Sequence, residues 1–397
     1  KIFINLKDII KICSSCVTPE TAESISFNDK NSCSVCKQIK HKKKIDWKKR
    51  DLLFDELILK YRGKSKYDCI VPFSGGKDSS FTLWYLVKKK NLNPLVVRYN
   101  HNFLRKTVQK NTRKIIEKLK VDFIEKKTDQ KIIKKTMIES LIRRGDFCWH
   151  CHVGVASFPV NTAIMKGIPL LIYGEPSSEY GSFYDYDDFE VLDVDYFNRV
   201  FNLGLNAEDM IGMINERHKD DKLNDDSLDE LKFPSRKTLS RNKIHAAYLG
   251  NYLPWETKKF VKIIKEELDW EGEEVEGIPP EYDYEKIECL FQGVRDYLKF
   301  LKRGFGRTSH LTSIDIREGK INREEALKLC KKFDGQRPAS LDYFLKYLGL
   351  SEDQFYEIAL KHVVPPHKNN KIEDLKRKTK NKMPDDFEEV FKELAKK

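Results

Sequence analysis

What the 397-residue chain lacks narrows its function first. No uninterrupted apolar run approaches the roughly 20 residues that a membrane-spanning helix needs. The longest, such as residues 168–173, are strand-sized. Residues 1–12 carry charges throughout and no small-residue cleavage site, so they do not read as a signal peptide, and a cytoplasmic protein is expected. Internal repeats and extended low-complexity tracts are also missing. The Walker pattern G-x-x-x-x-G-K-[ST] is absent, which removes the commonest nucleotide loop.

What is there fits a folded protein with a sizeable core. Hydrophobic residues make up 40% and charged residues 34%, which argues against disorder. The length suits one large domain or two ordinary ones. Against 62 Asp and Glu stand 74 Lys and Arg, a net charge of +12, with much of the excess in residues 37–50 and 368–382. Such a surplus suits a nucleic-acid or acidic-substrate surface. Lys-rich solvated faces explain it too, and we prefer that reading, so nucleic acid is not the expected partner.

Nine cysteines in a chain of this kind point to metal or catalysis before disulfides. Cys13, Cys16, Cys33 and Cys36 form two C-x-x-C pairs separated by 16 residues. That spacing suits one tetrahedral Zn²⁺ held by four thiolates, stapling an otherwise weak N-terminal segment. Cys148 and Cys151 make a third pair, while Cys69, Cys289 and Cys330 stand alone.

From Tyr67 short apolar runs alternate with longer amphipathic ones. Strands are expected over 69–73, 94–99, 122–126 and 169–174, with helices over 78–90, 104–119, 129–144 and from about 148. This alternation predicts βαβ crossovers and a doubly wound parallel α/β sheet. Residues 217–232, rich in Asp and Lys, read as an exposed connection. The remainder reads as mainly helical: Ile287, Leu290, Phe291, Val294, Tyr297, Leu298 and Leu301 share one helical face. Asn322 with Glu325, and Ser351 with Gln354, have capping-box spacing. We therefore expect a zinc-binding segment at 1–62, a nucleotide domain at 63–215 and a mainly helical region at 216–397.

The sharpest motif is Ser74-Gly75-Gly76-Lys77-Asp78-Ser79, between an expected strand and an expected helix. The glycines let backbone approach phosphate oxygens. The helix start offers N–H groups and the positive end of a dipole. Lys77 adds a point charge, Ser74 and Ser79 add hydroxyls, and Asp78 can hold a Mg²⁺ that bridges phosphates. The motif resembles the S-G-G-x-D-S signature of PP-loop ATP pyrophosphatases, which cleave ATP between its α and β phosphates. A loop that grips the leaving pyrophosphate leaves the α-phosphorus open to a substrate oxygen, which then departs as AMP.

A second acidic site is expected just past the last strand of this run, at Gly174-Glu175-Pro176-Ser177-Ser178-Glu179. It resembles the G-x-x-x-x-E segment of NAD synthetase, with Gly174 at the nucleotide. Glu179 is the first choice as a Mg²⁺ ligand and catalytic group, with Glu175 second; a plain helix-start carboxylate is the alternative. Asn100, His101 and Asn102 follow the second strand, at the edge where ligands bind such sheets. There His101 can act in catalysis and Asn100 can contact substrate; turn chemistry also explains the two asparagines. Around Trp149, the residues Cys148, His150, Cys151 and His152 fit a redox or metal pair, plain packing, or the lining of a substrate pocket; we take the last, with Cys148, His150 and Cys151 as substrate-binding residues. Arg307, His310, Asp315 and Arg317 lie in a segment too polar for core. Arg307 and Arg317 suit a bidentate grip on a diphosphate or carboxylate, and a surface salt-bridge network explains them as well.

Taken together these segments resemble the N-acetyl sugar amidotransferase family of bacterial surface-polysaccharide and nonulosonic-acid biosynthesis. The resemblance runs from the N-terminal cysteine pairs to about Gln354. It is carried by residues 70–79, by Tyr99-Asn100-His101-Asn102-Phe103, by Cys148-Trp149-His150-Cys151-His152 and by Gly174-Glu175-Pro176. Further on come Tyr252-Leu253-Pro254-Trp255, Gly304-Phe305-Gly306-Arg307 and Ser313-Ile314-Asp315-Ile316-Arg317. The resemblance implies ATP-dependent conversion of an acetamido group on a sugar nucleotide or nonulosonic acid to an acetamidino group. ATP would adenylate the amide oxygen, ammonia would attack, and AMP would leave. No G-x-C-x-G elbow and no N-terminal catalytic Cys supplies ammonia here. The resemblance therefore implies a separate glutaminase with an ammonia-conducting barrel, like the components of imidazole glycerol phosphate synthase. The chain departs from the family pattern in its dozen residues before the first Cys, the 217–232 stretch and the basic tail.

The competing reading is a tRNA thiolation enzyme of the same loop class. There Cys148 and Cys151, with Cys289 or Cys330, would carry sulfur or an iron–sulfur cluster.

Overall fold

The computed structural model describes residues 10–179, 181 and 184–368. Most of the opening segment 1–12, and the basic tail at 368–382 apart from Lys368, lie outside the described residues.

Five short strands form one parallel sheet: β1 (Cys69–Pro72), β2 (Pro94–Asn100), β3 (Asp122–Lys127), β4 (Leu170–Tyr173) and β5 (His245–Tyr248), in the order β3-β2-β1-β4-β5. All seven residues of β2 are buried, as a near-continuous apolar strand covered on both faces requires. Side chains alternate across the sheet. Val71, Val96, Ile172 and Ala247 join a core with Phe81, Ile115 and Phe260, from α3 (Lys77–Trp84), α4 (Lys106–Leu119) and the helix Thr257–Leu268. Ile70, Leu95, Val97, Leu171 and Ala246 face the other way, onto Val160 and Ala163 of α6 (Trp149–Lys166).

The expected α/β class is thus the observed one, and its elements start and stop close to where the sequence puts them. Asp129 caps α5 (Gln130–Arg144), accepting from the N–H of Lys131 at 2.8 Å. Both expected capping boxes form, at Asn322–Glu325 and Ser351–Gln354. Three features differ from the sequence reading. The helix after the loop is α-helical only to Trp84 and finishes as a wider π turn over Tyr85–Lys89. The sheet continues past residue 215, because β5 pairs with β4 from Leu170↔His245 to Tyr173↔Tyr248. Its four residues, His-Ala-Ala-Tyr, are too few and lack the β-branched run that would mark a strand. The 217–232 connection is exposed only in part: Leu228 and Leu231 are buried with Tyr99 and Trp149, while Glu230 accepts from Thr128 at 2.8 Å.

From β1 the chain builds outward to β2 and β3, then crosses back to lay β4 and β5 on the other side. The reversal lies between β1 and β4, and the crevice at their carboxyl ends is where such sheets bind ligands. Two further parts cover that crevice. The N-terminal segment brings α1 (Ser34–Lys42) and α2 (Trp47–Tyr61) over the loop that follows β4. Lys42 Nζ reaches Glu179 at 2.6 Å and the Trp255 carbonyl at 3.0 Å, and Arg50 donates to the carbonyls of Tyr186 and Asn251. From the other side come the helices Gln292–Arg303 and Arg307–Arg317. No helix among the described residues is long and apolar enough to cross a membrane.

Candidate active site

The loop that leaves β1 is held by its own hydroxyls. Ser79 Oγ accepts from the N–H groups of Ser74 and Gly75, each at 3.2 Å, and Ser74 Oγ accepts from Gly76 N–H at 3.2 Å. Gly75 has φ +85°, and a Cβ there would lie 2.9 Å from Thr112 Oγ1 and Val108 Cγ1. Only glycine fits that left-handed, crowded position. Gly76 caps α3, so the loop opens onto a helix N-terminus and the positive end of its dipole.

Charge is concentrated on Lys77. Its ammonium is buried, 2.8 Å from Asp78 Oδ2 and 2.9 Å from Glu285 Oε2. Burial alone would lower its pKa, but Asp78, Glu285 and Glu175 hold it well above the ordinary value. Burial, reinforced by the Asp78 charge, pushes Glu175 up to about 8. Glu285 moves the opposite way: burial is outweighed by Lys77, Lys286 and Arg307, which hold it far below the usual carboxylate range. A fourth carboxylate, Glu288, accepts from Ser74 Oγ at 3.2 Å and lies against Gly76, where a Cβ would fall 1.9 Å from its oxygen.

Two cavities meet at this loop and share Glu175, Ser177, Tyr196 and Lys286 as common wall. One, of about 420 Å³, runs along the strand ends past Ser74, Asp78, Ser79 and Gly174 and is otherwise walled largely by apolar side chains such as Val97, Val155 and Phe233. The other, of about 300 Å³, carries a cationic surplus: Lys77, Lys258, Lys286, Arg295, Lys299, Arg307 and Arg317 outnumber Glu23, Glu175, Glu285, Asp315 and Glu318, with His310 beside them. Arg307 is fixed by Asp296 at 3.0 Å and Glu285 at 3.8 Å. The Lys299 ammonium lies 4.3 Å from the centre of the Phe305 ring, and burial lowers its pKa to about 8. Burial, with Arg307 next, keeps His310 neutral by lowering its pKa well below the ordinary value.

The sequence-predicted residues divide among these surfaces. Ser74, Asp78, Ser79, Gly174 and Glu175 line the first cavity; Lys77, Glu175, Arg307 and Arg317 line the second. His101 lines the first with its Nδ1 accepting from Phe103 N–H at 3.2 Å; burial, then Arg98, lowers its pKa to about 4. Asn100 is taken up by the turn, its Oδ1 accepting from Asn102 N–H at 2.9 Å. Glu179 does not reach the loop: the short turn Ser177–Glu179 carries it to Lys42 of α1, and Glu175 occupies the position at Lys77. Of the third cysteine pair, Cys151 lines the first cavity together with Cys289, whereas Cys148 is buried in the core with Phe147. Burial drives the thiol pKa of Cys151 up to about 12 and of Cys289 to about 11, and it makes His150 neutral by lowering it to about 3. Sequence reasoning missed Glu285, Lys286, Glu288 and Lys299. The charged run Glu285-Lys286-Ile287-Glu288 was the only signal, and nothing in it points to a loop two hundred residues away.

Cys13, Cys16, Cys33 and Cys36 converge in a buried cluster whose sulfurs lie within 4.8 Å of one another. Sulfur separations of 4.0 Å (Cys13–Cys36) and 3.8 Å (Cys16–Cys33) match the roughly 3.8 Å edge of a tetrahedron with 2.3 Å metal–sulfur bonds. The donor set fits a tetrahedral metal ion.

An α/β protein with a phosphate-type loop at its sheet reversal, a four-thiol centre and a helical C-terminal part is the class these features define. Residues 281–383 match the family described as LPS biosynthesis protein WbpG-like, C-terminal domain. The match supports the family to which the sequence motifs pointed. A stretch of 144 residues is 32% identical to the uncharacterized protein MJ1599 of Methanocaldococcus jannaschii, covering 35% of this chain and 50% of that protein. The chain thus spans about half the length of this curated relative. Among solved structures, the U34-tRNA thiolase NcsA from Methanococcus maripaludis with its [4Fe-4S] cluster is similar over 87% of this chain and 99% of that one, at 15% identity and a TM-score of 0.31. A likeness that loose decides nothing about site or reaction.

Proposed function

We propose that the protein is an ATP-dependent sugar amidotransferase of the PP-loop type, acting in the cytoplasm in lipopolysaccharide O-antigen biosynthesis. The observation that carries this is Lys77, buried between carboxylates where an apolar cavity meets a cationic one. The WbpG-like domain supports the pathway.

The apolar cavity receives adenosine, with pyrophosphate on the Ser74–Ser79 N–H groups and Lys77. The cationic cavity receives an anionic sugar, gripped by Arg307 and Arg317. Asp78 and Glu175 hold Mg²⁺, which neutralises phosphate charge, and the four thiolates hold Zn²⁺. An acetamido oxygen attacks the α-phosphorus and pyrophosphate leaves. Ammonia, from a partner glutaminase and barrel, adds to the resulting imidate carbon. AMP then departs with the former amide oxygen, and a proton is lost to give the acetamidine. Adenylation is needed because an amide carbonyl is a poor electrophile. With Nδ1 engaged by Phe103 N–H, neutral His101 presents Nε2–H and would serve as a hydrogen-bond donor to substrate, the released proton going to solvent.

Thiols on the adenosine side, Cys151 and Cys289, keep tRNA thiolation as the second reading. AMP release from ATP and Mg²⁺ with ammonium salt, against diacetamido sugar nucleotides and separately against unmodified tRNA, separates the two. Exchange of O for NH on a sugar, seen by mass spectrometry, is the expected result. AMP release only with tRNA, with sulfur in a base, would overturn it.

A further inference from the structure

The four-cysteine centre looks at first like a remote staple, yet it stands against the cationic cavity. Thr18, Pro19, Glu23 and Val35, all within or beside the knuckles, form part of that cavity's wall. Facing them is the helix Arg307–Arg317, which carries Arg307, His310 and Arg317 into the same space. Direct bonds tie the two parts. The Ser313 hydroxyl accepts from Val17 N–H at 3.3 Å and from Thr18 Oγ1 at 3.1 Å. Arg323 Nε donates to the carbonyls of Cys13 and Cys16, at 3.3 and 3.0 Å. Thr21 Oγ1 donates to the Arg303 carbonyl at 2.6 Å, and Arg303 pairs with Glu23 at 2.8 Å. Arg317 itself places Nη1 3.9 Å from Cys16 Sγ, so one guanidinium touches both the metal's sulfur cage and the anion cavity. The adenosine-side cavity contains none of the knuckle residues.

We infer that the metal centre is a substrate-affinity element: by fixing the knuckles it builds one wall of the anion cavity and seats Arg317, and so sets how tightly the anionic substrate binds. Without metal the four thiols are linked only by weak S–H contacts, so the knuckles rest on their hydrogen bonds to Ser313, Arg303 and Arg323, and the sulfur charge that orients Arg317 is then unfixed. The adenosine-side cavity takes none of its wall from the knuckles, so the metal centre should leave ATP-analogue affinity nearly unchanged. This rests on the reading of the cationic cavity as the acceptor site.

The test uses the full chain. UDP is the probe for the cationic cavity, titrated with α,β-methylene-ATP saturating the other cavity, in metal-loaded protein and after chelation. Affinity for the ATP analogue is measured separately. Chelation is expected to weaken UDP binding roughly tenfold, the loss that follows when a charge-assisted phosphate contact is misplaced. Affinity for the ATP analogue should stay within about twofold. Arg317→Met in loaded protein should weaken UDP comparably, with its thermal unfolding unchanged. Removing metal from that variant should add little, because both changes act through one contact. UDP affinity indifferent to chelation overturns the inference, as does an equal loss of both ligands, or full additivity of chelation with Arg317→Met. No measurable UDP binding to loaded protein would instead sink the acceptor-site reading beneath it.

Discussion

The two cavities that meet at Lys77 differ in wall, charge and construction. The apolar cavity combines polar groups at the ends of β1, β2 and β4 with Glu190, Lys286, Glu288 and Gln292 from later parts of the chain, with apolar side chains between them. One side of it rests on the ends of a buried sheet. The cationic cavity meets the sheet's loops at Lys77 and Glu175; much of its remaining wall comes from the knuckle loop, the turn after Glu281 and two C-terminal helices, joined by hydrogen bonds and ion pairs. A site made from one sheet edge is rigid by default. One assembled from several parts depends on each, and so can be tuned or disabled from a distance.

The largest effect should come where the two meet. Lys77→Met takes the ammonium from buried Glu285, which keeps only the more distant Arg307, and from half-buried Asp78. It should lower stability by about 3–5 kcal/mol and AMP formation by roughly a thousandfold. Adding Glu285→Gln should return part of the stability, read by denaturant unfolding, and none of the rate. Glu175→Gln is next, at roughly a hundredfold in AMP formation with little change in stability. With its pKa near 8, Glu175 is protonated below that pH and must lose the proton to bind Mg²⁺. Apparent Mg²⁺ affinity should therefore rise from pH 7 to 9 in the native chain and lose that slope in the variant.

On the cationic side, Lys299 works with the reverse sign. Its ammonium is charged below about pH 8 and neutral above, so anionic-substrate affinity should fall as pH climbs past 8 while ATP affinity holds. Lys299→Gln should cost roughly tenfold at pH 7 and abolish the fall. Smallest of all, Glu179→Gln should change AMP formation by less than about threefold. It should still cost about 1–3 kcal/mol of stability, since it strips Lys42 of its charged partner and leaves it the Trp255 carbonyl. A rate loss equal to that of Glu175→Gln would reverse the positions we give the two glutamates.

The same contrast governs what could be read from the sequence. Strands β1 to β4, the helices between them, the Ser74–Ser79 loop and the four-thiol cluster rest on contiguous signals: apolar runs, caps and fixed spacings. Glu175 and Glu179 share one motif, and only the turn at Ser177–Glu179 decides which faces Lys77; backbone direction is not legible at that grain. Glu285, Glu288 and Lys299 left no local mark, because their role comes from where the chain's return brings them. β5 escaped notice because a short edge strand of small residues is defined by its pairing.

That return has a consequence for how the protein is made. The Ser74 hydroxyl meets Glu288 across 214 positions, and the Trp270 indole closes on the Gly75 carbonyl at 3.0 Å across 195. Contacts so distant in sequence form late, and a growing chain folds its earlier part first. The phosphate loop thus leaves the ribosome long before the residues that complete it. A chain that stops short of Trp270 holds the whole S-G-G-x-D-S signature without its finished cradle.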